Sequence, residues 1–125
     1  MITKFKLYES INLEITRENQ PEVGDYVICR TAYRNYINQE ELDYFLENNI
    51  GKIKDIERSW AGKGSWNYVI KFDIVPEKLI RANLFTRGKQ RAFVYETNTR
   101  NKEIVAWSKN EKELETYIEA NKYNL

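Results

Sequence analysis

The sequence predicts an α+β fold: a mainly antiparallel small β-barrel or strongly curved sheet, with a short inserted helix at about 39–48 and a C-terminal helix at about 109–121. Three observations predict it. First, Trp66, Tyr68, Ile70, Phe72 and Ile74 alternate with Asn67, Lys71 and Asp73, the period of a strand with one face in a core. Second, Ile50–Val75 reads as a hairpin, and a strand at Val23–Arg30 precedes it across a loop. Third, Asn38 with Glu41 and Ser108 with Glu111 have the spacing of helix-capping pairs, each ahead of an apolar run of helical period.

Each element follows from its residues. Met1–Tyr8 fits two periods, since Phe5 and Leu7 alternate like a strand while Ile2, Phe5 and Tyr8 are spaced like a helix face. Ile11, Leu13 and Ile15 alternate with polar residues and predict a short strand. Asn19-Gln20-Pro21-Glu22 is a connector, because proline brings no amide hydrogen to a ladder. In Val23–Arg30 both faces are apolar, Tyr26 and Ile28 on one and Val27 and Cys29 on the other, as in a strand covered on both sides. Gly24-Asp25 suits a turn or bulge at its start.

Past Asn38, Leu42, Phe45 and Leu46 share one helical face and Glu40, Glu41, Asp43 and Glu47 lie outside it. Asn48-Asn49 can end this helix in a left-handed conformation. Ile50, Ile53 and Ile56 recur every third residue, which suits a strand only if it is bulged or covered on both faces. Ser59–Ser65, with Gly62 and Gly64, is the expected hairpin loop. Pro76 opens a short helix over Glu77–Phe85, and a Thr86–Arg91 loop follows. Ala92–Thr97 and Glu103–Ser108 read as strands. The final helix presents Leu114, Tyr117 and Ile118.

Composition bounds the function. The 125 residues are one domain's worth, and 42% hydrophobic with 31% charged residues is a globular balance. A net charge of +1 leaves any nucleic-acid or membrane attraction to a local patch. The single cysteine, Cys29, excludes an intrachain disulfide framework and fits a reducing, cytoplasmic setting. No run of apolar residues is long enough to span a membrane, and the start lacks a signal-peptide core, so the expectation is a soluble, unexported protein.

No histidine is present, which removes the Ser-His-Asp and Cys-His arrangements and most transition-metal sites. Cys29, among apolar neighbours, reads as a buried thiol. Gly62-Lys63-Gly64-Ser65 fails the phosphate-loop pattern: Gly64 stands where Ser or Thr is needed, Glu57 stands at the first glycine, and a strand follows. Asp25, Asp55 and Asp73 fall on three separate expected strands and read as turn and surface residues. The expectation is therefore no enzyme, no cofactor and no metal.

One polarity stands out. Lys78, Arg81, Arg87, Lys89 and Arg91 occupy a stretch with no acid, whereas Glu40–Glu47 carries four acids and no base. Trp60 and Trp66 flank the hairpin tip, with Lys63 between them. Exposed, these rings and cations would suit single-stranded nucleic acid by stacking and phosphate pairing; the other reading packs the tryptophans into the core and leaves the basic run a solvated loop. The candidate binding residues are thus Trp60, Lys63, Trp66, Arg81, Arg87, Lys89 and Arg91.

Gly24-Asp25-Tyr26-Val27, followed by Ile50-Gly51-Lys52-Ile53, resembles the opening of SH3-like small barrels, including the KOW type. The departure is the insert from Arg30 to Asn49, where those barrels have a short loop. Lys6-Leu7-Tyr8-Glu9, Val23–Cys29, Asn48–Ile53 and Ile104–Asn110, with its Trp107-Ser108-Lys109, look like small uncharacterised proteins of tailed bacteriophages. These resemblances imply a fold and a phage origin, and they assign no residue a role.

Two function classes follow. The first is a non-enzymatic interaction module that binds a protein partner, a host factor or another viral protein. Its basis is an aromatic content of 14% with nine tyrosines, and its contact surface would be the acidic inserted helix or the aromatic hairpin. The second is a nucleic-acid-binding barrel that uses residues 78–91. A structural, self-assembling subunit is a third option.

Overall fold

The computed structural model describes residues 10–58 and 64–122. Five strands, β1 (Tyr26–Cys29), β2 (Gly51–Arg58), β3 (Ser65–Lys71), β4 (Gln90–Glu96) and β5 (Ile104–Ser108), form one antiparallel sheet of order β4-β3-β2-β1-β5. Helices α1 (Gln39–Asn48), α2 (Glu77–Arg81) and α3 (Glu111–Lys122) complete the described chain. The expectations over Met1–Tyr8 and at the tip of the β2–β3 hairpin lie outside the described residues.

The sheet curls without closing into a barrel. Its outer strands meet at one corner, where Tyr95 bridges Lys102 and the Glu103 amide donates to the Val94 carbonyl at 2.8 Å. Glu103 then fastens that corner. Its Oε1 accepts from the Val94 amide at 2.9 Å and its Oε2 from the Ala32 amide at 2.8 Å, while its carbonyl accepts from Arg30.

Two bulges arrange the faces. The β2–β3 register shifts between Ile53 and Asp55, so Ile53 pairs with Ile70 and Ile56 with Tyr68. That extra residue brings both isoleucines to the same apolar cluster, which accounts for their three-residue spacing. A shift between Ile28 and Cys29 does the same opposite β5, turning Ile104 back to the side of Val27 and Cys29. Gly51 is required by close approach: a Cβ there would collide with Ile70 and stand 3.0 Å from the Phe72 ring.

β1 is covered on both sides, as its two apolar faces predict. Val27 and Cys29 join the large cluster with Leu42, Phe45 and Leu46 of α1. Ile28 joins Ile11, Ala106, Leu114 and Ile118 in a second cluster under α3. In β3 the predicted face is inward, with Tyr68 and Ile70 fully buried and Phe72 just beyond the strand 1% exposed.

Several local expectations are corrected. Ile11–Ile15 is not a strand. Asn12 makes one isolated bridge with Trp107, and the Trp107 indole donates to the Glu14 carbonyl at 2.9 Å. β1 is shorter than Val23–Arg30, because Val23 and Gly24 form a turn with Gly24 at φ 96°. Ile74 is exposed rather than inward, because β3 ends at Lys71. Asn38 does not cap α1 with its side chain; it sits in the left-handed region, and the Gln39 side chain takes the Tyr36 amide instead. Nor does Asn49 end α1 left-handed: it is extended, and Asn48 and Asn49 donate side-chain amides to the Tyr44 and Phe45 carbonyls at 2.8 Å. The final helix starts later than 109, because Asn110, not Ser108, takes the Lys112 amide.

Candidate interaction surface

The sequence-predicted residues do not assemble into one cationic platform. Trp60 and Lys63 lie outside the described residues. Trp66 is 6% exposed and packs on the Tyr95 ring at 6.3 Å, because it occupies an inward position of β3; it is a core residue and offers no face to a base. Arg91 is half-buried. Its guanidinium donates to the Leu84 carbonyl at 2.8 Å and to the Tyr36 hydroxyl at 3.0 Å, and stacks over the Tyr36 and Phe93 rings. Lys89 donates to the Asp73 carbonyl at 3.0 Å. Arg81 and Arg87 are exposed and converge on Glu77 at 3.6 and 3.9 Å, and Lys78 reaches Glu41 at 2.7 Å. The stretch that lacks acids in sequence acquires them in space, because α2 packs beside α1 and Glu77 sits one residue before the run.

The other chemistry-bearing groups hold structure. Burial pushes the Cys29 thiol well above its ordinary pKa, and Glu103 nearby adds to the effect. Asp25 accepts from the Glu22 amide at 2.9 Å and from Lys109 Nζ at 3.2 Å, and that bond raises the Lys109 pKa. Asp55 accepts from the amide of Ile56 at 2.9 Å. Among the described residues no group of three His, Cys, Asp or Glu side chains could hold a metal ion, and no helix is long and apolar enough to cross a membrane.

What the fold does present lies around the C-terminal half of α1. Packing Leu42, Phe45 and Leu46 inward turns Tyr44 outward, in the middle of the acidic face. Tyr44 is 72% exposed and Ile74 77%. Between them a cleft of about 600 Å³ runs from α1 to α2, floored by Phe45 and Leu79 and edged by Glu40 and Glu41. Two further clefts, of about 570 and 680 Å³, share lining residues with it. One shares Asn49 and Ile74 with the first and extends to Glu111, Glu115 and Ile118 of α3. The other shares Tyr44 and reaches Val105 and Tyr117.

Charge on this surface is held by defined contacts. The Arg34 guanidinium grips both oxygens of Asp43, with Gln39 Nε2 at 3.0 Å, and holds the Asp43 carboxyl below its ordinary pKa. The hydrogen bond from Lys78 lowers Glu41 in the same way. These contacts fix the N-terminal half of α1 and leave Glu40, Tyr44 and Glu47 facing solvent.

Sequence reasoning placed the acidic face of α1 but passed over its tyrosine. Glu40, Tyr44 and Glu47 follow the i, i+4, i+7 spacing of one stripe, so the signal was present. Ile74 had no such signal, since strand alternation assigned it to the core. No protein-family model, curated protein or solved structure matches the chain.

Proposed function

We propose that this chain is a non-enzymatic interaction module, phage-encoded, that binds a protein partner through the face formed by α1 and Ile74. One observation carries the reading: two large apolar side chains, Tyr44 and Ile74, stand exposed on either side of a cleft with an apolar floor. Exposing them opposes the burial that shapes the rest of the core, and apolar anchors around a concavity are what partner side chains fill. The non-enzymatic part is supported by the structural engagement of Cys29, Asp25, Asp55 and Arg91. The antiparallel order β4-β3-β2-β1-β5 and the corner fastened by Glu103 are compatible with an open, SH3-like arrangement elaborated by α1. Phage origin, and with it the host cytoplasm as the place of action, rests on the sequence resemblance.

The nucleic-acid alternative ranks second, because the cations that would serve it are tied to Glu41, Glu77 and main-chain carbonyls, and Trp66 is buried.

The test places a photo-crosslinking aromatic residue at Tyr44 in the cell that expresses the chain. The expected result is a discrete adduct with one protein, lost when Ile74→Asp is added while melting is unchanged. A nuclease-sensitive adduct, an adduct only with the chain itself, or no adduct would overturn the reading, as would catalytic turnover abolished by one substitution.

A further inference from the structure

Resting on that reading, we propose that the partner presents a basic amphipathic segment, which lies across the C-terminal end of α1 between the acidic stripes of α1 and α3, with an apolar side chain inserted between Tyr44 and Ile74.

The charge distribution selects this occupant. Among the described residues the three neighbouring clefts are lined by seven carboxylates: Glu40, Glu41 and Glu47 on α1, Asp73 beside Ile74, and Glu111, Glu115 and Glu119 on α3. Glu111, Glu115 and Glu119 recur every four residues and so form one line along the helix. Among the described residues three cations line the clefts, Lys78 paired with Glu41, Lys122 with Glu119, and Arg30 bound to the Lys102 carbonyl, and Lys89 stands at the edge on the Asp73 carbonyl, so carboxylates still outnumber cations. The chain as a whole carries +1, so the negative excess is local to this face. Such a field favours cationic partners and repels nucleic acid and anionic membrane.

A second feature has the same sign. The last turn of α1 contains no basic residue, so the helix itself supplies no cation at the negative end of its dipole. Asn48 and Asn49 occupy two of its terminal carbonyls with neutral amides. An incoming Lys or Arg would meet that end together with Glu47. The apolar part of the recognition is set by the cleft walls. Ile74 borders two of the clefts and Tyr44 borders two, so each side chain forms a wall between neighbouring recesses that apolar anchors of a partner can fill.

The test uses three synthetic peptides of equal length as probes: an amphipathic Lys/Leu helix, the same design with Glu for Lys, and the same with Gln for Leu. Binding to the full chain is followed by fluorescence anisotropy at low and moderate salt, and the contact is mapped by amide NMR shifts. The Lys/Leu peptide should bind with shifts centred on Tyr44, Asn49, Ile74 and Glu115, and more weakly as salt rises. Both control peptides should bind at least about tenfold more weakly. Ile74→Asp, and separately the exposed-site reversal of Glu40, Glu47 and Glu115 to Lys, should each weaken the Lys/Leu peptide by about tenfold or more. Circular dichroism confirms that these variants are folded, and Ile74→Ala with Glu115→Gln provides a milder second pair. Equal binding of the Glu/Leu peptide, shifts centred elsewhere, or loss of affinity without salt dependence would overturn the inference. If that happens while the Tyr44 adduct with a protein still forms, only the basic character of the partner is wrong. If no adduct forms either, the interaction face itself falls.

Discussion

Glu103 shows how much a single side chain holds. It is 9% exposed, and its two carboxylate oxygens each accept a main-chain amide, one from β4 and one from the segment after β1. Glutamine keeps the shape but replaces one acceptor with a donor, which would face an N–H. Glu103→Gln should therefore lower stability by about 1–3 kcal/mol, read as a reduced urea midpoint with an unchanged slope. Arg91 makes the same point about a residue whose sequence context pointed elsewhere. It sits in a basic run, yet its guanidinium ties Leu84 to Tyr36 and lies over two rings. Arg91→Ala should lower the melting temperature, whereas Arg87→Ala, at an exposed side chain, should leave it in place. Equal and negligible effects would show that Arg91 is a surface cation after all.

At the scale of elements, α1 is fastened to its surroundings by ion pairs on its first two turns. Arg34 and Lys78 hold Asp43 and Glu41 below their ordinary pKa values. A carboxylate whose folded pKa is lowered contributes stability above its unfolded pKa, and that contribution disappears as pH falls through the folded value. Wild type should accordingly exceed Arg34→Ala in stability at neutral pH by a small, constant margin. The two should converge only below the ordinary carboxylate range, as Asp43 takes up a proton. Denaturation midpoints across an acid pH series measure this; a margin that persists at the lowest pH would mean that packing of the Arg34 stem, not charge, holds the loop.

On the scale of the whole molecule the sheet is a shared wall between two clusters. α1 closes the larger one, and α3 closes the smaller through Leu114 and Ile118. Removing Glu111–Leu125 would expose Ile28 and Ala106 to water and leave β1 covered on one side. The truncated chain should melt at a lower temperature or aggregate, since a helix of this length is held by packing rather than by its own propensity. An unaltered melt would show that α3 contributes no cover. The same layering produces the candidate face: its clefts lie where α1, α2, α3 and the end of β3 converge, and none of these elements forms it alone.

Neighbours along the chain suffice for part of this architecture. Alternation placed Tyr68, Ile70 and Phe72 inward, helical spacing placed Leu42, Phe45 and Leu46 and the final Leu114 and Ile118, and the two apolar faces of Tyr26–Cys29 announced a strand covered on both sides. The three-residue spacing of Ile50, Ile53 and Ile56 left two readings, a bulge or cover on both faces, and the register shift between Ile53 and Asp55 is a bulge. The rest depends on contacts between elements distant in the chain. Ile74 continued the alternation of β3 but fell beyond the strand's last pair, so periodicity put it in the core and chain direction put it in solvent. Basic residues that stand together in sequence were separated, Lys78 paired with Glu41 of α1, Arg81 and Arg87 with Glu77 just ahead of the run, and Lys89 and Arg91 bound to the Asp73 and Leu84 carbonyls. Glu103 reads as one polar residue at the head of a strand, and only the curl of the sheet gives it two amides to bind. Periodicity reports which side of an element is apolar; which groups meet across elements is set by how the sheet bends and where the helices dock.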